Sequence, residues 1–152
     1  MQQSLAVVLH ELVGLLDRSG EAILRQATGI SYRQFYLLSA MARLGPSTQR
    51  DLAEFVGHSD AAISRMMTTL RNGKLVTSEI DGSNRRSKTV AVTPAGLDLA
   101  TRAEALLERE LSDLLAQRDV DEQRLTELAV GARDALRGVG WTTNDPAIEV
   151  LK

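Results

Sequence analysis

Thr48-Gln-Arg-Asp51-Leu-Ala-Glu-Phe-Val-Gly57-His-Ser59-Asp-Ala-Ala-Ile63-Ser-Arg65-Met-Met-Thr68-Thr-Leu70-Arg71 is the stretch on which the fold turns. Thr48, with Asp51 three positions on, has the form of a helix-capping signature. Leu52, Ala53 and Val56 give the short helix it opens an apolar side, and Gly57 closes it. Ser59 caps a second helix running to about Arg71, with Ala62, Ile63, Met66 and Leu70 expected inward and Asp60, Ala61, Ser64, Arg65 and Thr68 outward. Two short helices joined by a tight glycine-containing turn are the helix-turn-helix pattern.

Downstream the chemistry changes. Leu75-Val-Thr-Ser-Glu-Ile80 and Lys88-Thr-Val-Ala-Val-Thr93 are rich in β-branched residues and flank the polar loop Asp81-Gly-Ser-Asn-Arg-Arg-Ser87, which predicts a β-hairpin. Pro94 suits the first turn of a helix capped by Thr93. That helix is long, carrying Leu97, Leu99, Ala100, Ala103, Leu106, Leu107, Leu111, Leu114 and Leu115. A last helix from near Asp121 to Arg137 should turn Leu125, Leu128, Ala129, Ala132 and Leu136 inward. Gly138 and Gly140 end it, and the tail with Trp141 and Pro146 is expected loose or docked on a partner. Upstream, Leu5 to about Gln26 repeats apolar residues at helical spacing until Thr28-Gly29-Ile30. Ser31 and Gln34 form a capping-box pattern for another helix, with Phe35, Leu38, Met41 and Ala42 on one face and Gly45-Pro46 at its end.

Composition narrows the function classes. The 152 residues suit one domain with a proper core. Aromatic residues make up 3%, so that core must be built from Leu, Val, Ala and Met. There is no cysteine, which excludes disulfides, thiolate metal sites and thiol redox switches. No apolar run approaches the roughly 18 to 20 residues of a membrane span, and His10 and Glu11 interrupt the apolar N-terminal stretch, so a cytoplasmic protein is expected. The net charge of −2 hides an asymmetry. Arg43 to Lys88 holds eight Lys/Arg against five Asp/Glu, and the rest of the chain ten against fifteen. The basic part coincides with the motifs.

His10 and His58 lie on different elements, and no serine-hydrolase elbow, phosphate loop or zinc-protease motif is present, so the chain is read as no enzyme and as needing no cofactor. The helix from Ser59 has a physical rationale of another kind. A helix fits the major groove, and its N-terminal residues reach base edges. Short Ser59, Asp60, Ser64 and Thr68 permit close approach, and Arg65 can fork onto guanine or phosphate. Taken alone, that helix supports an ordinary solvated face equally well. Arg85 and Arg86 on the hairpin loop, beside Ser83, Asn84 and Lys88, favour DNA, because a minor groove attracts arginine.

Together Asp51-Leu-Ala-Glu-Phe-Val-Gly57, Ser59 through Leu70, Leu75-Val76, Asp81 with Arg85-Arg86, and Val92-Thr93-Pro94-Ala95-Gly96 resemble the core of the MarR family of bacterial regulators. The resemblance covers Tyr32 to Ala103. It departs from the family at two positions. Asn84 stands where an Asp usually precedes the first wing arginine, and Lys74 stands where a Gly tends to precede Leu-Val, with Gly73 one position early.

The resemblance implies a mostly α fold with a small β-hairpin wing (α+β), a winged helix-turn-helix with N- and C-terminal dimerisation helices. It assigns a single domain over 1–152, with DNA binding in 31–97 and dimerisation in 1–30 and 98–152. It further implies a sequence-specific repressor acting as a homodimer on a pseudo-palindromic double-stranded operator. Base readout would fall to Ser59, Asp60, Ala61, Ser64 and Arg65, and backbone contacts to Thr48, Gln49, Thr68 and Arg71. Arg85 and Arg86 would serve the wing, and Leu5, Val8, Leu9, Leu12, Leu128, Ala132, Leu136 and Trp141 the dimer. A small lipophilic or aromatic effector would bind between dimer helices and reading heads, where His10, Tyr32 and Tyr36 could line a pocket or simply pack. Two alternatives stay open: a winged-helix protein-interaction module without DNA binding, and a metal-responsive regulator using carboxylates with one histidine.

Overall fold

The computed structural model describes residues 3–80 and 88–138, in the order α1 (Leu5–Thr28), α2 (Tyr32–Leu44), β1 (Ser47–Thr48), α3 (Gln49–Val56), α4 (Asp60–Asn72), β2 (Val76–Ile80), β3 (Lys88–Val92), α5 (Pro94–Ala116) and α6 (Glu122–Gly138). One compact unit reaches to Glu108 and a second begins at Arg109, so α5 contributes to both. The fold class is mostly α with a small antiparallel sheet, a winged helix-turn-helix.

Local chemistry sets the helix starts. Ser31 Oγ accepts from the Gln34 N–H at 3.1 Å while Gln34 Oε1 accepts from the Ser31 N–H at 2.8 Å, a closed capping box. Thr48 and Asp51 repeat the arrangement at α3, with 3.1 Å and 3.0 Å contacts. At the turn into α4, Gly57 takes φ 69, a left-handed value that costs a glycine nothing. Ser59 Oγ then accepts from the Ala62 N–H at 3.3 Å.

The sheet runs β1-β3-β2, antiparallel throughout. The expected hairpin pairs Val76 with Val92 at one end and Ile80 with Lys88 at the other. Its loop, 81–87, lies outside the described residues. β1 was not expected, since two residues carry no periodic signal; Ser47 and Thr48 pair with Val90 and Thr89.

The core of the first unit is aliphatic. Leu24, Leu37, Leu38, Met41, Leu52, Ile63, Met67, Leu70 and Val90 are its largest fully buried side chains. Two expected faces need correction. On α2, Ala42 is exposed while Leu37 and Ala40 are buried, because this helix is packed from more than one side, by α1, α3 and β3. On α4, Met67 is the inward methionine, and Met66 and Ala62 are only half-buried. Residues 66 and 67 lie on either side of the line through Ile63 and Leu70, and packing partners decide between them.

α5 buries Gly96, Ala100 and Ala103 against this core, with Leu99 and Leu107 partly buried beside them. In the second unit every residue of α6 from Gln123 to Arg137 is exposed, Leu128 at 65% and Leu136 at 62%. The expected inward stripe on α6 therefore exists as a pattern, but the chain leaves it in solvent. α1 does the same with Leu5, at 72%, and with Leu9 and Leu12. Among the described residues, no helix is long and apolar enough to cross a membrane.

Candidate nucleic-acid interface

α4 separates its two faces cleanly. Ile63, Met67 and Leu70 anchor it, and Ser59, Asp60, Ala61, Ser64, Arg65 and Thr68 are exposed. These six are the sequence-predicted residues at and after its N-cap, and the fold brings them to one surface. Thr68 Oγ1 donates to the Ser64 carbonyl at 3.0 Å and accepts from Arg71 Nη2 at 3.4 Å, so Arg71 lies along the helix and is half-buried. Thr48 and Gln49 sit half-buried at the start of α3, apart from the α4 face in sequence but within the same helix-turn-helix. Asp51 has its carboxyl held below the ordinary aspartate range by the Thr48 hydroxyl and then the Thr48 N–H. That carboxylate is committed to the cap of α3.

Ser83, Asn84, Arg85 and Arg86 lie outside the described residues, as does Trp141; Lys88 opens β3. Of the residues named for dimerisation, Leu5, Val8, Leu9, Leu12, Leu128, Ala132 and Leu136 are all exposed.

The hairpin is locked to α4 by close backbone approach. The Leu75 N–H donates to the Leu70 carbonyl, and the Thr93 N–H to the Leu75 carbonyl, both at 3.0 Å. A Cβ at Gly96 would overlap that same Leu75 carbonyl oxygen, so only glycine lets α5 start here.

Among the described residues of the first unit, two grooves bear on the candidate site. One, about 500 Å³, is lined by Asp17, Arg18, Glu21, Arg25, Ser31, Tyr32 and Arg33. Within it Glu21 Oε1 accepts from Arg25 Nε and Oε2 from the Tyr32 N–H, both at 2.7 Å. The Arg25 bond, then that N–H, hold the Glu21 carboxyl below its usual range. Burial pushes the Tyr32 hydroxyl up. Of the three residues named for a ligand, only Tyr32 lines this groove; His10 and Tyr36 are exposed and do not.

The second groove, about 280 Å³, is lined by Ser31, Arg33, Gln34, His58, Ala62, Arg65, Met66 and Thr69. Sequence reasoning missed Arg33, Gln34 and His58 as neighbours of Arg65. Gln34 was legible only as a cap, and nothing local in the sequence joins the start of α2 to the flank of α4. Among the described residues no three His, Cys, Asp or Glu side chains converge to hold a metal.

Residues 28–87 match the sequence profile of the MarR family. The transcriptional regulator BldR from Sulfolobus solfataricus is similar in structure, with a TM-score of 0.79 at 23% identity over 91% of this chain and 100% of that one. The S. aureus MepR–DNA complex gives 0.72 at 17% identity, over 91% and 100%. A mutant MarR from E. coli complexed with operator DNA gives 0.72 at 19%, over 87% and 93%. No curated protein matches the sequence. The segment 28–87 is thus similar to the MarR family, and the fold that carries it is the winged helix-turn-helix of these solved structures.

Proposed function

We propose that this chain is a sequence-specific double-stranded DNA-binding repressor, a homodimer that a small effector releases from a pseudo-palindromic operator. The observation that carries the reading is the exposed N-terminal half of α4, with Ser59, Asp60, Ala61, Ser64 and Arg65 projecting from a helix anchored by Ile63, Met67 and Leu70. The side chains beyond the cap are short around one arginine, so the helix can approach base edges while Arg65 reaches a guanine or a phosphate. Thr48, Gln49, Thr68 and Arg71 supply backbone contacts in this reading, and Ser83 to Arg86 with Lys88 the wing contacts. The DNA-bound MepR and MarR structures of the same fold support it.

The homodimer reading rests on the apolar residues that α1 and α6 leave in solvent, beyond what soluble monomers ordinarily expose. Two related reading heads then require half-sites about one helical turn, roughly 10 bp, apart. The effector enters beside Tyr32 in the groove between α1 and α2, and its leverage equals its differential affinity for the bound and released forms.

The test is titration of duplexes selected by the protein from a random pool, at several salt concentrations. Arg65→Ala should reduce discrimination between selected and random duplexes by about 1–3 kcal/mol. Unchanged discrimination would refute the assignment of α4 as the reading helix.

A further inference from the structure

The groove between the start of α2 and the flank of α4 is acid-free. Its charged lining consists of Arg33 and Arg65, joined by His58, the Gln34 amide and the Thr69 hydroxyl, and no carboxylate is among its lining residues. The larger groove on the other side of Arg33 is different, for there Asp17 and Glu21 offset the arginines. Glu21 feels the Arg33 charge but is already engaged by Arg25 and the Tyr32 N–H. Arg33 is exposed and makes no ion pair among the described residues. Gln34 spends its carbonyl on the Ser31 N–H, which leaves its amide NH2 with no protein acceptor among the described residues.

The position of this groove decides what it can hold. His58 immediately precedes the Ser59 cap, and Ala62, Arg65, Met66 and Thr69 continue along one flank of α4. The groove therefore starts at the end of the helix that enters DNA in the reading above, on which this inference rests. A helix with its side chains is about 10–12 Å across, and the major groove about 12 Å wide. The flank of an inserted helix thus lies against the phosphates that wall the groove.

We propose that Arg33, with Gln34 and His58, forms a phosphate seat that clamps the DNA backbone beside α4. Arg33 supplies the charge, Gln34 and His58 supply N–H donors, and Arg65 borders the seat while facing the bases. The seat positions the reading helix and carries no sequence information of its own. α2 thereby becomes part of the DNA-binding surface, although it lies outside the helix-turn-helix motif.

The experiment compares the full-length protein with Arg33→Gln and Arg33→Lys on a selected and a random duplex across a salt series. Each protomer of the homodimer then loses one phosphate contact, so the slope of log K against log salt should flatten by about 1.8, about 0.9 per contact, equally on both duplexes. Arg33→Lys should restore the slope, and neither variant should change the thermal midpoint of this exposed position. A slope unchanged in Arg33→Gln overturns the proposal. So does a loss confined to the selected duplex, which would make Arg33 a base contact. Competition by inorganic phosphate at constant ionic strength, lost in Arg33→Gln while the salt slope stays the same, would mark a free-anion site and overturn it equally. Wild-type protein that bound neither duplex at low salt would defeat the DNA-binding reading itself, an outcome distinct from failure of the seat alone.

Discussion

The hydroxyl of Thr93 donates to the carbonyl oxygen of Lys74 at 2.9 Å, tying the cap of α5 to the corner that follows α4. The Thr93 hydroxyl oxygen in turn accepts from the Gly96 N–H at 3.0 Å, so one side chain starts α5 and holds the end of α4. Thr93→Val keeps the shape and removes both bonds. It should lower stability by about 1–2 kcal/mol, with Thr93→Ser close to wild type. Urea midpoints measure both.

Lys74 is the strained member of that pair. Its φ is 58, whereas Gly73, one residue earlier, is right-handed at −76. Gly73 is thus one position away from the residue that takes the left-handed conformation. Lys74→Gly should be stabilising by up to about 1 kcal/mol after the greater freedom of glycine in the unfolded chain is counted, and Lys74→Val destabilising. Gly73→Ala should be tolerated, since its Cβ would meet the Leu70 carbonyl and Leu75 side chain at an ordinary 3.5 Å. A lower melting temperature for Lys74→Gly would contradict the assignment of strain.

Gly96→Ala should behave in the opposite way to Gly73→Ala. The added methyl meets the Leu75 backbone, which cannot swing aside as a side chain end can, and Val92 Cγ2 lies at 2.9 Å. A loss of about 1–3 kcal/mol is expected, together with weaker DNA binding as the wing shifts against α4. Comparable stability of the two variants would disprove the close approach of α5 to Leu75.

Glu21 makes the joint between α1 and α2 sensitive to acid. Its folded carboxyl sits below the ordinary value of 4.5, so its contribution is fully present above about pH 4.5 and is lost as the pH falls through the lower folded value. Glu21→Gln should flatten the acid limb of stability against pH and leave the pH dependence of the neutral region unchanged. Identical acid limbs would show that the Arg25 and Tyr32 contacts do not persist in solution.

For the dimer, Leu9→Arg on α1 or Leu128→Arg on α6 should halve the mass seen by light scattering at micromolar concentration without unfolding the first unit. Both positions are exposed in the single chain, so a charge there costs folding little and assembly much. A wild-type protein already monomeric under these conditions would remove the homodimer reading.

Where a structural decision depended on near neighbours in the chain, the sequence alone determined it. The caps at Ser31–Gln34 and Thr48–Asp51, the turn at Gly57, the hairpin pairing of Val76–Ile80 with Lys88–Val92, and the Thr93–Pro94 start of α5 are all contacts between nearby residues. Their chemistry is complete within a short window, and so is the motif order in the segment that resembles the MarR family. Tertiary structure decided the rest. It turned Met67 rather than Met66 inward, because two residues straddling one helical line are separated only by what packs against them. It recruited Ser47 and Thr48 as a third strand through a partner more than forty residues away. It placed the left-handed corner on Lys74 instead of Gly73, since the Leu70 and Thr93 contacts on either side set that backbone. And it set Arg33 and Gln34 beside Arg65, about thirty residues on, where the placement of α2 beside α4, and no local rule of spacing, creates the groove.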